Sequence, residues 1–260
     1  MKYESVYPIT AAQMSADYRL TVDGLLAFHE NTVARYLTTL HLAAFDLQKI
    51  DKTWIISEIN LMLPGPAPIW TEDIRVTVWI SELTPLRVWF EFTAHEMHTG
   101  RQVASGNSCW SLISMSSRTL ISCEGLTPPT EREDELAAGP HRRRSVLKPS
   151  GEAVCSLRHG INRIDLDFNG HTNNRRYISM ALICFDEGFL STHRPDALNI
   201  RFLHESRLGD TIRNETLPTA DPALFVGQIT NSAGQELCRV TSHWTPKEPL
   251  EDIAEKNYLR

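Results

Sequence analysis

The stretch from Asp165 to Asn174 carries residue types that are typical of a hydrolytic centre. Its polar residues alternate with apolar ones, at Asp165, Asp167, Asn169 and His171. In an extended segment these four side chains would lie on one side of the chain. The run leads into a predicted helix through Asn173 and Asn174, and asparagine is a good helix cap. A helix N-terminus offers free N–H groups and a positive dipole end to an oxyanion, although Asp and Asn at this place often serve only as caps.

Two long helices and eight strands are predicted around this run. Apolar residues recur with a 3.6-residue period over about 24–46 and about 173–191, which predicts helices. Alternating or β-rich segments predict four strands after each helix, within 53–63, 74–80, 88–92 and 102–115, and within 199–204, 211–216, 223–229 and 236–244. A short strand-like run precedes each helix, at 18–22 and at 162–167. Since these strands do not alternate with helices, the pattern excludes a parallel sheet of βαβ units.

The order of elements occurs twice, which predicts a duplication. Gly100 and Trp110 recur 134 positions later as Gly234 and Trp244. We therefore expect two α+β halves, each a curled antiparallel sheet around its helix, which pair edge to edge because an open sheet edge must be covered. The predicted division is residues 1–116 for the first half, a linker over 117–150 rich in Pro, Glu, Arg and Gly, and residues 151–260 for the second half.

A second match between the halves predicts where the chemistry lies. Arg35-Tyr36 resembles Arg176-Tyr177, 141 positions later. At this offset the positions of Asp167, Asn169 and His171 correspond to Leu26, Phe28 and Glu30, of which two are apolar. We therefore expect the second half to carry the reaction and the first half to line an apolar pocket.

Composition excludes several classes of protein. The chain has 260 residues and a formal charge of −6, so a nucleic-acid partner is not expected. No apolar run reaches the ~20 residues that cross a bilayer, and residues 1–14 lack the apolar core of a secretory signal. The five cysteines form no C-x-x-C pair, which favours reduced thiols in the cytoplasm and small buried hydrophobic side chains.

No metal or cofactor is expected. His95 and His98 have a spacing that could suggest a metal, but they lie beside a turn at Thr99-Gly100 and no third ligand is near them in sequence. A solvated turn is the simpler interpretation of this pair.

The run DLDFNGHTNNRRYI closely resembles the D-x-D-x-N-x-H-x-N-N-x-x-Y-I signature of the acyl-acyl carrier protein thioesterases of plants and bacteria. The segments TWIISEINLMLPGPAPIWTEDIRVTVWIS and NIRFLHESRLGDTI are also similar to that family, so the resemblance extends over nearly the whole chain. The family has a tandem (double) hot-dog fold, an α+β pseudo-dimer of two antiparallel sheets that each wrap around a long helix. The resemblance implies the same fold here.

The resemblance also implies a set of catalytic residues: Asp167, Asn169, His171 and Glu205. Many plant members have Cys after the Glu, where this chain has Ser206. A serine without an evident base or a G-x-S-x-G elbow is a poor nucleophile, so attack by water is favoured. Glu205 with His171 would then deprotonate the water, and backbone N–H groups at Asn173 and Asn174, with Asn169, would bind the oxyanion.

The substrate implied by the resemblance is a fatty acyl group on acyl carrier protein. We expect the first half to hold the acyl chain, with these candidates for the pocket wall: Leu26, Phe28, Trp54 and Met62. Basic residues could dock the acidic carrier by charge: Arg142, Arg143, Arg144, Arg175 and Arg176. A solvated linker is the other interpretation of the first three.

Two other functions are compatible with the sequence. One is an acyl-CoA thioesterase of the same fold, although no motif for the adenine nucleotide is present. The other is a non-catalytic acyl-binding regulator, against which the set of catalytic residues argues. The duplication already supplies both halves of a hot-dog pair, so either a monomer or a homodimer is possible.

Overall fold

The computed structural model describes residues 1–124, 132–139, 149 and 151–247. Among these residues, no helix is long and apolar enough to span a membrane. The predicted docking residues Arg142, Arg143 and Arg144 lie outside the described residues.

Each half begins with a strand, continues through helices and then forms four long antiparallel strands, which a short fifth strand follows in the first half. The first half contains β1 (Tyr3–Pro8), a 3-10 turn (Ala11–Gln13), α1 (Val22–Thr39), α2 (Ala44–Gln48), β2 (Lys52–Met62), β3 (Asp73–Thr84), β4 (Arg87–Glu96), β5 (Gln102–Ser114) and β6 (Leu120–Ile121). The second half contains β7 (Cys155–Gly160), a 3-10 turn (Arg163–Asp165), α3 (Asn174–Leu182), α4 (Glu187–Thr192), β8 (His193–Phe202), β9 (Thr211–Pro218), β10 (Leu224–Asn231) and β11 (Glu236–Pro246).

The two halves join through one continuous sheet, as the open edges required. The strand order is β1-β3-β4-β5-β2-β8-β11-β10-β9-β7, and β6 pairs with β5. β2 and β8 run antiparallel at the centre, with Asn60 opposite Asn199. The Asn199 amide donates to the Asn60 side-chain oxygen at 2.7 Å, and the Asn60 amide donates to Asn107 at 2.8 Å. These bonds satisfy polar groups that the joined sheet places away from water.

The helix α1 packs its apolar stripe against the sheet of the first half. Its side chains Leu26, Val33, Tyr36 and Leu37 are buried. Burial of such side chains contributes ~1.5–3 kcal/mol each, so this packing holds the start of α1 at a defined place relative to the sheet.

The predicted helix over 24–46 is interrupted. His41 adopts a φ of 57°, the left-handed region. The Leu42 N–H donates to the Leu37 carbonyl at 2.8 Å, and the His41 N–H donates to the Thr38 carbonyl at 3.1 Å, a Schellman pair of bonds that ends α1. A left-handed residue at this place is usually glycine, so a histidine gives no signal in the sequence.

The second predicted helix, 173–191, is also two helices. The helix α3 ends at Leu182, and Asp186 caps a new helix by accepting from the Phe189 N–H at 2.7 Å. The strand-like runs at 18–22 and 162–167 are not strands, since Tyr18 has a φ of 58° and the second run contains a 3-10 turn. The strands that precede the helices are β1 and β7.

The two halves contain the same elements in the same order. Around the helices, equivalent residues are 152 positions apart, and not 141 as predicted. β1 and β7, the two 3-10 turns and the helix caps Thr21 and Asn173 are each 152 positions apart. The offset is 139 at Asn60 and Asn199, and 134 at Trp110 and Trp244, as expected there. The two tryptophans make the same bond, donating to Ser108 at 2.8 Å and to Ser242 at 2.9 Å.

The match of Arg35-Tyr36 to Arg176-Tyr177 is therefore wrong. It pairs the fourth turn of α1 with the first turn of α3, because α1 has 18 residues and α3 has 9. The structural counterparts of Asp167, Asn169 and His171 are Ser15, Asp17 and Arg19, and not Leu26, Phe28 and Glu30.

Candidate active site

Asp167 holds a tight turn together just before α3. Its Oδ1 accepts from the Asn169 N–H at 2.8 Å and from the His171 N–H at 3.2 Å. Its own N–H donates to the His171 carbonyl at 2.8 Å, and Gly170 supplies the left-handed position with a φ of 76°. The carboxylate therefore sets the backbone that carries the Asn169 and His171 side chains.

The run is thus folded, and its four polar residues do not share one side as an extended segment would. Asp165 lies apart in the 3-10 turn, where it is 3% exposed. It accepts from the Asn162 N–H at 3.0 Å and contacts His159 Nε2 at 2.9 Å. Burial by itself would raise the pKa of Asp165, but these two partners outweigh burial and hold the pKa below its usual value. Asp165 has a structural role in the entry to α3.

His171 and Glu205 contact each other beside the turn at Asp167. His171 Nε2 lies 3.3 Å from Glu205 Oε2, and their side chains are 14% and 39% exposed. Arg118, from the segment after β5, contacts the other oxygen of Glu205. Glu205 itself lies beyond the end of β8, so the predicted strand over 199–204 is too long at that end. The pair is accessible to water and held from both halves of the molecule.

Gln48, in the first half, contacts the side chain of Asn169. Gln48 Nε2 lies 3.4 Å from Asn169 Oδ1, at the end of α2. Gln48 and Arg118 are the two residues at this site that the sequence did not single out. Neither stands in a motif, and both reach the site only because β2 pairs with β8, so no local signal could have identified them.

Ser206 is buried and hydrogen-bonded on all sides. Its Oγ lies 2.7 Å from the Thr172 hydroxyl and 2.7 Å from the Tyr177 hydroxyl, and its N–H donates to Tyr177 at 2.9 Å. The side chain is 1% exposed and contacts no base. Ser206 therefore has a structural role, linking the end of the turn at Thr172 to Tyr177 of α3.

The start of α3 offers one open N–H group of the two that were predicted. Asn173 is the helix cap, and its side chain accepts from the Arg175 N–H at 2.9 Å. The Asn173 N–H is already donated to the Asp165 carbonyl at 2.8 Å. The Asn174 N–H finds no acceptor within the part of the chain that the structure describes. An oxyanion would therefore meet Asn174 first.

Arg175 ties the two halves together. Its Nη1 lies 2.9 Å from Asp23, and its Nε lies 3.3 Å from Glu30, both on α1. Burial raises the pKa of Glu30 to about 7, against the opposing attraction of Arg175. Arg175 is thus engaged by two carboxyl groups, whereas Arg176 is exposed and donates to the Ile164 carbonyl at 3.4 Å.

Three of the four predicted pocket residues, Leu26, Phe28 and Trp54, belong to one hydrophobic core cluster. Leu26 and Phe28 are buried in the core, with Phe28 stacked on Tyr7 at 4.7 Å between ring centroids. Trp54 packs against Trp110, whereas Met62 is 38% exposed. Trp54 and Met62 are eight residues apart on β2, which separates them by about 26 Å.

Metal ligation has no support in the described part of the chain. No group of three or more His, Cys, Asp or Glu side chains there is arranged to hold a metal ion.

Comparison with known proteins gives consistent matches over both halves. Two family models match in tandem, the acyl-ACP thioesterase N-terminal domain over residues 1–124 and the acyl-ACP thioesterase C-terminal domain over residues 151–246. A chloroplastic acyl-acyl-carrier-protein hydrolase of Cuphea viscosissima is 20% identical, covering 95% of this chain and 63% of that protein. A chloroplastic palmitoyl-acyl carrier protein thioesterase of Arabidopsis thaliana is 18% identical, covering 94% and 64%. The chain spans less than two thirds of the length of these relatives.

Solved structures match the whole fold. An acyl-ACP thioesterase from Bacteroides thetaiotaomicron superposes with a TM-score of 0.83 at 20% identity, covering 94% of this chain and 98% of that one. A 12:0-ACP thioesterase from Umbellularia californica superposes with a TM-score of 0.81 at 16% identity, covering 95% and 98%. The predicted α+β double hot-dog fold is thereby confirmed. With both of its halves matched in order by the two domain models, the chain belongs to the acyl-ACP thioesterase family.

Proposed function

We propose that this protein hydrolyses fatty acyl-acyl carrier protein thioesters, releasing free fatty acid and the carrier, and so ends fatty-acid synthesis in the cytoplasm. The observation that carries the proposal is the His171–Glu205 pair, 3.3 Å apart, beside the turn that Asp167 organises at the start of α3. Membership of the family supports the substrate class.

In the proposed reaction, the His171–Glu205 pair takes a proton from a water molecule, and the water oxygen attacks the thioester carbonyl carbon. Arg118 holds one oxygen of Glu205 and leaves the other for His171 and the water. Asp167 has a positioning role, since its bonds to the backbone hold Asn169 and His171 in place.

The tetrahedral intermediate needs donors for its oxygen. The Asn174 N–H at the helix N-terminus supplies one, and the Asn169 side chain supplies a second. When the intermediate collapses, the carbon–sulfur bond breaks and the pantetheine thiolate leaves, which is easy because a thiol pKa is only ~8.5. The proton taken from water is then available to the thiolate.

The proposed substrate-binding residues lie in the first half and at the start of α3. Of the pocket candidates, Trp54 is buried and its indole N–H donates to the Leu42 carbonyl at 2.9 Å, just before the helix that carries Gln48. Of the docking candidates among the described residues, Arg176 is exposed beside the start of α3 and Arg175 is held by α1. We therefore propose Arg176 as a docking residue for the acidic carrier.

The test is thiol release from the same acyl chain presented on acyl carrier protein and on CoA, over a series of chain lengths. Faster release from the carrier protein is expected, and Arg176→Glu should raise KM for that substrate and leave release from CoA unchanged. Preference for CoA would move the function to an acyl-CoA thioesterase. No release from either substrate, together with tight binding of the acyl group, would make the protein a non-catalytic acyl binder.

A further inference from the structure

The backbone of the catalytic turn occurs a second time, before α1. The Ser15 N–H donates to the Arg19 carbonyl at 2.9 Å, as the Asp167 N–H does to His171 at 2.8 Å. The Leu20 N–H donates to the Pro68 carbonyl at 2.8 Å, which matches the bond from Thr172 to Ser206 at 2.9 Å. The fold therefore builds two related sites at opposite ends of the seam between the halves.

The side chains of this second site cannot carry out the same reaction. The four catalytic positions are occupied there by Ser15, Asp17, Arg19 and Ala67. Arg19 and Ala67 take the places of His171 and Glu205, and neither can accept a proton from water at neutral pH. A ligand in this site would be bound without being hydrolysed.

A cavity of about 1080 Å³ lies at this second site. Small-molecule sites typically have ~300–1,000 Å³, so the space is ample for a long ligand. Its walls come from both halves and are largely apolar, with these aliphatic residues among them: Leu20, Leu25, Leu63, Val103, Leu182 and Leu190. A wall of this composition stabilises an alkyl chain by removing its surface from water.

The same cavity contains a cluster of cationic groups. Arg194 donates from Nη1 to the Leu63 carbonyl at 3.1 Å, and its buried Nε has no acceptor among the described residues. Arg19 donates to the Ala67 carbonyl at 2.7 Å. Lys247 is paired with Asp17 at 3.4 Å, and Glu187 is the other acidic residue of the wall. The three cationic side chains of the wall, Arg19, Arg194 and Lys247, outnumber its two carboxylates, so the cavity favours an anionic group.

We infer that this cavity is a second, non-hydrolytic site for a long-chain carboxylate, with the alkyl chain against the apolar wall and the carboxylate at Arg194 and Arg19. The choice of a fatty acid as ligand rests on the proposed function, because that reaction releases one. The existence and the charge preference of the site rest only on the cavity and its cationic residues.

The site is tested by photolabelling the full chain with a diazirine derivative of hexadecanoic acid and mapping the labelled peptides by mass spectrometry. We expect labels within residues 15–25 and 182–195. Arg194→Gln should reduce labelling of these peptides about tenfold, the scale expected for a charge-assisted hydrogen bond. Leu190→Trp should reduce it by filling the cavity. Arg158→Gln, a matched change at an exposed arginine of β7, should have no effect.

Two controls keep this result separate from the proposed reaction. The corresponding photoreactive alcohol should label the cavity more weakly and should be insensitive to Arg194→Gln. Thioester hydrolysis is measured on the same samples. Labelling of the cavity without hydrolysis would overturn only the proposed function. Hydrolysis with labels confined to the catalytic turn, or with labelling that neither variant lowers, would overturn the second site.

Discussion

The turn at residues 167–171 and the turn at residues 15–19 share their backbone hydrogen bonds but differ at each functional side chain. Both close through a bond from the first N–H to the last carbonyl, at 2.8 Å and 2.9 Å, and both precede a capped helix. Only the first brings an imidazole and a carboxylate together, while the second borders a large cavity. The backbone of a turn can therefore persist while its side chains change, and those side chains decide which chemistry the turn can support.

We expect the largest difference in turnover when the side chain of the first residue of each turn is replaced by alanine. Asp167→Ala removes the acceptor for the Asn169 and His171 N–H groups, so turnover of acyl-acyl carrier protein should fall by at least ~100-fold, the scale of losing acid–base catalysis. Ser15→Ala, the matched change in the other turn, should alter turnover less than about twofold. Steady-state kinetics on the folded variants measure both, and near-normal turnover in Asp167→Ala would remove this residue from the mechanism.

A substitution of Ser206 distinguishes a hydroxyl that supports the fold from one that acts as a nucleophile. Ser206→Ala leaves the Thr172 and Tyr177 hydroxyls without their shared partner, which should cost ~1–3 kcal/mol of unfolding free energy in urea. Turnover should fall less than about tenfold, because water is the proposed attacking group. A loss of activity as large as that of Asp167→Ala, with stability retained, would instead point to covalent catalysis through Ser206.

Glu30 is a second position at which the two halves differ. The equivalent residue of the second half, 152 positions later, is Leu182. The Glu30 carboxyl faces Arg175, with Asp23 and Asp167 as the nearby acids, and burial raises its pKa to about 7 from the ordinary 4.5. The folded state then binds the proton more tightly than the unfolded state, so stability is highest below pH 4.5 to 5 and is lost as pH rises towards 7.

We expect the contribution of Glu30 to reduce the unfolding free energy by roughly 2–3 kcal/mol between pH 5 and pH 8. The measurement is the difference in urea stability between the wild type and Glu30→Gln across this range. Glu124→Gln, a change at an exposed carboxyl of the same half, should leave the pH dependence unchanged. A parallel pH dependence in the wild type and Glu30→Gln would show that Glu30 titrates normally.

We expect the smallest effect on stability from removal of the helix caps, and this effect should be the same in both halves. Thr21 accepts from the Gly24 N–H at 3.0 Å and Asn173 accepts from the Arg175 N–H at 2.9 Å, so each caps its helix. Thr21→Ala and Asn173→Ala should each cost ~1 kcal/mol of unfolding free energy. Only Asn173→Ala should also lower turnover, since α3 carries the proposed oxyanion donor. Equal kinetic effects of the two changes would contradict the assignment of the reaction to the second half.

Much of the architecture could be predicted because it depends on local patterns. The period of apolar residues predicted the helical regions and the eight main strands, and Trp110 and Trp244 lie at equivalent places as their spacing indicated. The helix breaks at His41 and near Asp186 were missed, since a left-handed histidine and a short cap carry little signal against a continuing apolar period.

The sequence by itself determined the element order, the family signature and the candidate residues of the polar run, since residue types and their periodicity are properties of neighbouring positions. Only the tertiary structure decided that Gln48 and Arg118 reach Asn169 and Glu205, that the halves correspond at an offset of 152 at their helices, and that a cavity lies at the second turn. These facts depend on the pairing of β2 with β8, which brings together residues far apart in the chain and follows from the packing of the whole sheet.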